Sequence, residues 1–197
     1  KEILTKDGWV AGEDGVLVKK STTKTISKDK KTTTNTSSQT LSFTITTGDA
    51  PELREVVKLI QADLLAIGAS VDIKLYESGK LNQDIIKNRN FDALFFGQII
   101  NKESDLYAYW HSSQRKDPGL NIAQYTNPDV DKLLEASLGT QDAEVRRQKY
   151  KSFESLFAKD GAAIFVYSPE FIYVVNDNLV YIVPKHVAKA YERFSNI

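Results

Sequence analysis

The sequence contains no cysteine and no methionine. Without cysteine, structural disulfides and thiolate metal sites are excluded, although the compartment stays open because exported proteins need not carry disulfides. A complete gene product starts with methionine, so we interpret the chain as a mature fragment or an excised piece. It has no run of about 18 apolar residues, which a membrane-spanning helix needs, and its N-terminus lacks the apolar core of a signal peptide.

Net charge is also absent, because 26 basic residues balance 26 acidic residues. A neutral chain has no global electrostatic reason to bind nucleic acid or an anionic membrane, so we expect no nucleic-acid partner. Any specific partner must be recognised by a local site. At 197 residues, the chain is long enough for one well-buried core or for a core with a small appendage, and one domain is the starting assumption.

Residues 21–40 are almost entirely threonine, serine and lysine, and Ile26 is their only apolar residue. Such a segment buries too little apolar surface to offset the cost of ordering it. We therefore predict a flexible insertion at about 20–40, either a loop or the tip of a long hairpin. A basic arm for nucleic acid is disfavoured, because the segment lacks the aromatic residues that stack on bases.

From Leu41 onward, strand and helix patterns alternate. Leu41, Phe43 and Ile45 alternate with polar residues, as in a strand with one buried face. Pro51 stands near the first position of a helical repeat that Gly68 ends. The predicted elements are a strand at 41–46, a helix at 51–67, a strand at 70–77, a short helix at 81–86 and a strand buried on both faces at 91–100. This order predicts an α/β fold with a mixed sheet flanked by helices.

The second half of the chain predicts two helices followed by strands. Asn127 and Pro128 form a cap and first turn for one helix, and the other extends over about 142–159 with Gly161 as its stop. Aromatic and branched residues then predict strands at 162–169, 171–176 and 180–183. The fold is expected to have a strand-rich end.

A hydrolase would have to use His111, Ser112 or Ser113, and Asp117, because nucleophilic catalysis needs a base near a hydroxyl and an acid that orients the base. Residues this close in sequence rarely form that geometry, and no nucleophile elbow or glycine-rich oxyanion loop accompanies them. We expect His111 to be a polar loop residue beside a packed Trp110. No catalytic residue is predicted.

Metal and phosphate sites are also disfavoured. Asp129 and Asp131 stand in the first turn of a helix, where the helix dipole explains them, and their spacing lacks the glycine and distal glutamate of a calcium loop. Gly8, Gly12 and Gly15 precede a strand instead of linking a strand to a helix, so they do not form a phosphate-binding loop. We expect no metal and no cofactor.

Six blocks of sequence carry a resemblance to a known family. In order along the chain they are "DGWVAGEDGVLVKK" leading to "LSFTITT", "PELREVVKLIQADLLAIGASVDIKL", "FDALFFGQI", "DLYAYWHSS", "NIAQYTNPDVDKLLEAS" and "AAIFVYSPEFIYVV". The chain resembles the C-terminal part of the peptide-binding receptors of bacterial ABC importers, the extracellular solute-binding family that handles oligopeptides, dipeptides and nickel complexes.

The resemblance implies that residues 1–197 are the second lobe of a two-lobe periplasmic-binding-protein-like fold. It further implies a peptide ligand, an N-terminal lobe missing from this sequence, an ABC permease as partner, and an extracytoplasmic location with a lipoprotein-type anchor in the missing region. Such receptors close over a ligand by hinge rotation and catalyse nothing. Within the family pattern, Trp110, Asn121, Tyr125, Asp131 and Leu134 look structural.

The ligand-facing residues should follow "FDALFFG", because α/β sheets present ligands beyond the carboxyl ends of their strands. Peptide receptors of this family have a tryptophan after the glycine and an aspartate three residues further on, whose charge pairs with the peptide ammonium. Here Gln98 replaces the tryptophan and Asn101 replaces the aspartate. The predicted ligand-binding residues are Gln98, Ile99, Ile100, Asn101, Glu103, Asp105 and Gly79.

These departures leave two questions open. The first is whether Glu103 or Asp105 supplies the missing negative charge or both side chains lie in solvent. The second is the pocket size, because Gly79 stands where some relatives have an aromatic residue and so implies a roomier pocket. The alternative function is a non-transport receptor, scaffold or adhesion protein on the same fold, for which the neutral Asn101 is the motivating feature.

Overall fold

The computed structural model describes residues 1–26, 32–99, 105–169, 174 and 176. The chain divides into two compact units, residues 1–97 and 98–197, although its length is also compatible with one core. The strands predicted at 171–176 and 180–183 lie outside the described residues, apart from positions 174 and 176. No helix in the described part of the chain combines the length and the apolar character needed to cross a membrane.

The first unit begins with a short helix and an antiparallel sheet. The elements are α1 (Glu2–Lys6), β1 (Val10–Ala11), β2 (Leu17–Ile26) and β3 (Thr32–Thr40), with the sheet order β1-β2-β3. The β2–β3 pairing runs without interruption from Val18 opposite Thr40 to Ile26 opposite Thr32. The threonine-rich segment, for which a loop or a hairpin was predicted, thus forms paired strands on both sides of residues 27–31.

A parallel sheet completes the first unit. Its elements are β4 (Ser42–Gly48), α2 (Pro51–Ala66), β5 (Ser70–Tyr76), α3 (Ser78–Lys80), a π-helical turn (Leu81–Ile86) and β6 (Ala93–Phe95). Both β5 and β6 pair with β4 in parallel, which gives the order β5-β4-β6. Parallel neighbours require crossover connections, and α2 and the helical turns after β5 supply them. The predicted β-α-β-α-β order is confirmed.

The core of the first unit lies between α2 and one face of this sheet. Ile45, Val57, Ala69 and Val71 are buried together. The strand alternation at 41–46 and the helical repeat at 51–67 predict this core, since both patterns place their apolar positions on one face. Gly68 adopts a φ of 96° after the helix, which an L-residue with a side chain rarely adopts.

The prediction of a long, doubly buried strand at 91–100 is wrong. β6 contains only three residues, all half-buried, and Phe96 and Ile99 are exposed. Among the described strands, β6 lies at the edge of the sheet and pairs only with β4, so nothing in the described part of this unit covers the apolar residues beyond Phe95. An unbroken apolar run cannot by itself distinguish a central strand from such an edge.

The second unit is helical in its described part. Its elements are α4 (Asp105–Trp110), a 3-10 turn (Ser112–Gln114), α5 (Pro128–Leu138) and α6 (Ala143–Asp160). Asn127 and Asp142 each accept two backbone N–H hydrogen bonds at the starts of α5 and α6, and Gly161 ends α6 at a φ of 65°. The Asn127 cap and the Gly161 stop predicted from the sequence are confirmed. The core of this unit contains Trp110, Tyr125, Val130, Leu134, Phe153 and Phe157.

The predicted strand at 162–169 is also wrong, because these residues form no strand. Ile164 is 87% exposed and Phe165 is 76% exposed. A strand requires a neighbour that accepts and donates its backbone hydrogen bonds, and no described strand runs beside this segment.

Candidate ligand-binding site

The parallel sheet has its topological switch point between β4 and β6. The chain leaves β4 through α2 to reach β5 on one side, and then crosses to β6 on the other side of β4. In open α/β sheets, ligands bind outside the carboxyl ends of the strands at the point where neighbouring connections diverge. This rule selects the ends of β4 and β6, at Gly48 and Phe95, as the ligand-facing edge.

Hydrogen bonds fix this edge of the sheet. The Thr47 hydroxyl, which is fully buried, donates to the Phe95 carbonyl at 2.8 Å, and the Asp49 N–H donates to the Tyr76 carbonyl at 2.8 Å. The Asp49 carboxylate accepts from Arg54 one turn into α2. The three strand ends are therefore held in one fixed arrangement, which suits a surface that must recognise a ligand.

The structure describes three of the seven predicted binding residues in full. Gly79 lies in α3, directly after the carboxyl end of β5, and no heavy atom lies within 4 Å of the place where a Cβ would be. Gln98 is half-buried and follows Gly97 on the chain that leaves β6. Ile99 is 64% exposed, and its carbonyl accepts a hydrogen bond from the Tyr109 hydroxyl at 3.0 Å.

The other four predicted binding residues lie wholly or partly outside the described residues. Ile100, Asn101 and Glu103 lie outside the described residues, and Asp105 is described only as the first residue of α4. All seven residue assignments therefore stay predictions.

Gly48 and Asp49 are edge residues that the sequence reasoning missed. They end β4 beside the start of α2, so they lie at the switch point itself. The strand order of the sheet identifies them, because the central position of β4 is determined by its pairing with β5 and β6. The alternation of apolar residues within β4 does not reveal that position. The predicted β-α-β-α-β order, combined with the strand order β5-β4-β6, would have identified these two residues.

The first unit also contains a polar cavity of about 230 Å³. It is lined by Thr44, Thr46, Lys74, Tyr76, Ile85, Arg89, Asn90, Phe91 and Asp92, and none of the predicted binding residues is among them. Asp92 is already engaged, since its carboxylate accepts the Thr44 N–H at 2.9 Å. The volume is below the roughly 300–1,000 Å³ of typical small-molecule sites, so this cavity is too small to hold an extended peptide.

His111 belongs to a capping network in the second unit. Its Nδ1 accepts the Ser113 N–H at 3.1 Å and lies 2.8 Å from the Ser113 hydroxyl, while its Nε2 lies 3.3 Å from Glu135. Because Nδ1 accepts a backbone hydrogen bond, the ring is best described as the tautomer with its proton on Nε2. The ring is buried and stacks on Tyr107 at 4.2 Å.

This network resembles a serine–histidine–acid array, but the acid is not the predicted Asp117. Glu135 lies closest to Nε2, and Asp131 accepts from both the N–H and the hydroxyl of Ser112, at 2.9 and 2.6 Å. Each of these contacts satisfies a group of the 3-10 turn or ties that turn to α5. The arrangement therefore holds a loop in place, as expected for His111 and Asp131.

Asn121 and Tyr125 occupy the buried connection between the 3-10 turn and α5. The Asn121 amide is fully buried, donates to the carbonyls of His111 and Tyr125, and accepts the Tyr125 N–H at 3.0 Å. Leu134 is also almost completely buried. The structural roles implied by the family pattern are confirmed by these contacts.

The Tyr125 hydroxyl links this connection to the end of α6. It donates to the Asp160 carboxylate at 2.5 Å, and the same carboxylate accepts from the Asn127 amide at 2.7 Å. The hydrogen bond from Tyr125, followed by that from Asn127, lowers the pKa of Asp160. Burial and the Asp160 carboxylate raise the pKa of Tyr125 to about 12.

The aspartates considered as metal ligands have other partners. Asp129 pairs with Lys132 at 3.2 Å on the surface of α5, and Asp131 holds Ser112. Within the described ranges, no three histidine, cysteine, aspartate or glutamate side chains are grouped so that they could hold a metal ion.

Comparison with known proteins identifies relatives over most of the chain. No family model matches it. The oligopeptide-binding protein AppA of Bacillus subtilis is 29% identical over 182 residues, which are 91% of this chain and 30% of that protein. Protein XP55 of Streptomyces lividans is 25% identical over 177 residues, 89% of this chain and 29% of that protein. The chain thus spans about 30% of the length of these relatives.

Solved structures show the same relationship. AppA from Bacillus subtilis in complex with a nonapeptide aligns with 82% of this chain and 29% of its own, with a TM-score of 0.65 and 27% identity. NikZ from Campylobacter jejuni in complex with Ni(L-His) covers the same shares with a TM-score of 0.63, and at 19% identity this likeness concerns the fold alone. AppA is an oligopeptide-binding protein, and the structural neighbours of this chain include an ABC transporter-associated periplasmic binding protein, DppA from Helicobacter pylori. The resemblance and the fold class predicted from the sequence are confirmed.

Proposed function

We propose that this chain is one lobe of a two-lobe receptor that captures extended peptides for an ABC permease and performs no catalysis. The observation that carries the proposal is the 29% identity to oligopeptide-binding AppA over 91% of the chain. The AppA complex with a nonapeptide aligns with most of this chain and agrees with a peptide ligand.

The switch point of the parallel sheet supports a ligand at the carboxyl ends of β4 and β6. The residues that follow β6 along the chain include Gln98, Ile99, Ile100 and Asn101. An extended peptide held by main-chain groups, in the manner of an added strand, would be recognised with little regard for its side chains. The proposed receptor is therefore promiscuous toward peptide sequence.

Recognition of the peptide N-terminus is the most sequence-dependent part of the proposal. An ammonium group gains about twice as much from a charged acceptor as from a neutral one, and Asn101 is neutral. Glu103 and Asp105 are the nearby carboxylates that would supply the charge. We propose that free peptide amines are bound more weakly here than they would be with aspartate at position 101.

The second lobe would come from the remainder of the protein. The relatives are about three times as long as the matched region, and the exposed Ile164 and Phe165 are large apolar side chains of the kind that a further layer of protein covers. By the same family relationship we propose an extracytoplasmic location and a membrane anchor in the remainder of the protein. Residues 1–197 alone would bind peptide weakly, because they hold half of the cleft.

Substitution of Asn101 tests the ligand pose. In calorimetric titrations of the full-length protein with a nonapeptide, Asn101→Asp is expected to tighten binding of the free-amine peptide by roughly tenfold. The N-acetylated peptide should not show this gain, because it has no ammonium group. Asn82→Asp, an equal change of charge at an exposed position of the π-helical turn, is the matched control.

The outcomes separate the two functions considered for this fold. A gain restricted to free-amine peptides supports a retained peptide pocket near residue 101. Equal binding of all variants to both peptides contradicts the proposed pose. Failure of the full-length protein to bind any peptide favours the non-transport receptor or scaffold function instead.

A further inference from the structure

The Ile99 carbonyl is held by a side chain from further along the chain. It accepts a hydrogen bond from the Tyr109 hydroxyl at 3.0 Å. Residues 96–99 belong to no helix or strand of the described chain, so no regular element fixes the direction of this carbonyl. Gln98 and Ile99 are the first residues of the second unit, and Tyr109 belongs to the same unit. The contact therefore lies within one compact unit.

Tyr109 carries its hydroxyl on an anchored helix. Its ring is half-buried and packs against the apolar core of the second unit. The chain directly after α4 is held as well, because the His111 carbonyl accepts from the Asn121 amide at 3.1 Å. Next to it, the Ser112 N–H donates to the Asp131 carboxylate at 2.9 Å. The Tyr109 hydroxyl is thus a donor with a fixed position relative to this core.

The hydrogen bond between Tyr109 and Ile99 is exposed. In such a place the hydroxyl and the carbonyl can each bind water instead, so the bond contributes little to the free energy of unfolding. Its effect is on direction, because it keeps the Ile99 carbonyl turned toward α4. A direction fixed before a ligand arrives lowers the entropy cost of binding.

We propose that Tyr109 is a positioning residue for peptide binding, which turns the Ile99 backbone toward α4 and thereby presents the N–H and C=O of Gln98 to the peptide. This inference rests on the proposed function, in which the segment that begins at Gln98 holds an extended peptide in the manner of an added strand. Along an extended backbone, the N–H and C=O groups of successive residues point to opposite sides. With those of Ile99 on the side of α4, those of Gln98 lie on the side where a peptide strand can pair.

The proposed role predicts a specific pattern of affinities. Main-chain pairing does not depend on the charge at the end of the peptide, so the contribution of Tyr109 should be the same for free and blocked N-termini. Position 101 differs in this respect, because a charge there would act on the ammonium group alone. The two contributions can therefore be told apart with the same pair of peptides.

Removal of one hydroxyl tests the role of Tyr109. Tyr109→Phe keeps the ring that packs against the core and deletes the donor to Ile99. Tyr107→Phe is the matched control, since Tyr107 is half-buried on the same helix and its hydroxyl lies 3.5 Å from the Ser113 hydroxyl. Both variants should unfold at temperatures close to that of the wild type, because neither loses apolar contacts.

Calorimetric titration of the full-length protein with a nonapeptide gives the readout. We expect Tyr109→Phe to weaken binding by roughly three- to tenfold, by the same factor for the free-amine and the N-acetylated peptide. Tyr107→Phe should change the affinity for either peptide little. A role in folding alone would instead lower the unfolding temperature of Tyr109→Phe and leave the affinity of the folded protein unchanged.

Several results would overturn the role of Tyr109 while the wild type still binds peptide. These are an affinity of Tyr109→Phe equal to that of the wild type, a loss restricted to the free-amine peptide, and a loss that Tyr107→Phe shares. A wild-type protein that binds neither peptide would give a different result, because it contradicts the proposed function itself and removes the basis of this role with it.

Discussion

Asn121 illustrates how one buried side chain holds a loop that has no regular structure. Its amide satisfies two carbonyls and one N–H in the connection between the 3-10 turn and α5. Asn121→Ala leaves the buried N–H and carbonyl of Tyr125 without the partners that Asn121 supplies, while the His111 carbonyl still accepts the Gln114 N–H at 3.0 Å. We expect the variant to lose about 2–4 kcal/mol of unfolding free energy in urea denaturation, since each unsatisfied buried polar group costs about 1–3 kcal/mol.

The control for this prediction is Asn82→Ala, the same substitution at an exposed position. Exposed substitutions of this kind change the unfolding free energy by about 0.5 kcal/mol or less. A similar small loss in Asn121→Ala would show that the loop is held by the apolar core around Trp110 and not by the Asn121 amide.

The Tyr125–Asp160 hydrogen bond gives the stability a specific pH dependence. The folded state lowers the pKa of Asp160 from its usual value of 3.8, so its contribution is present above that value and is lost as the pH falls through the lowered pKa. Tyr125→Phe removes the donor. We expect the free-energy difference between wild type and Tyr125→Phe to be larger at about pH 6 than at about pH 3.

The same variants can be compared by urea unfolding at both pH values. Tyr76→Phe, at a half-buried tyrosine on the sheet, serves as the control and should show no such difference. If Tyr125→Phe lost the same free energy at both pH values, the hydroxyl would act through packing alone. At the alkaline end, the raised pKa of Tyr125, about 12, means that its contribution is present below pH 10 and is lost as the pH rises toward 12.

Single residues were predictable from the sequence where their role is local. Asn127 as a cap follows from its place before Pro128 and an apolar helical repeat, and the structure confirms it. The partners of His111 could not be predicted, because Glu135 comes from 24 residues further along the chain. Long-range contacts of this kind depend on packing, which a local pattern does not contain.

The ends of α5 and α6 show how backbone conformation determines the cost of a substitution. Gly161 follows α6 at a φ of 65°, whereas Gly139 follows α5 at a φ of −78°. Only the first conformation is unfavourable for a residue with a Cβ. We expect Gly161→Ala to lower the unfolding free energy by about 1 kcal/mol.

Gly139→Ala is the matched control, because it makes the same change at the end of the neighbouring helix. A Cβ at Gly139 would meet only the Glu135 carbonyl oxygen, at an ordinary 3.7 Å, and nothing lies within 4 Å of a Cβ at Gly161. The difference between the two variants in thermal or urea unfolding therefore reports the φ angle alone. Equal effects would contradict a left-handed end of α6.

Elements with a regular period were predictable, and elements that depend on a neighbour were not. The alternation at Leu41–Ile45 and the repeat behind Pro51 correspond to β4 and α2. The apolar runs at 91–100 and 162–169 have the composition of strands, yet of their described residues only Ala93–Phe95 pair, because β4 offers them a partner. Apolar composition indicates what a segment would bury, and the available neighbours decide whether it forms a strand.

For the molecule as a whole, the sequence was most informative through the order of its blocks. Six weak blocks in one order identified the solute-binding relatives that the comparisons with known proteins confirm. The division into units at Gly97 was not visible in the sequence, because it depends on how contacts are distributed. The binding residues around Asn101 remain predictions for the same physical reason, since a cleft is formed by parts distant in sequence.

The most direct measurement of the central claim is native mass spectrometry of the full-length protein, purified without refolding. A promiscuous peptide receptor holds ligands in a closed cleft, so we predict a ladder of co-purified peptide masses that disappears when the protein is unfolded and washed. A single mass that is not a peptide, or an empty protein that also fails to bind an added nonapeptide, would contradict the proposed function.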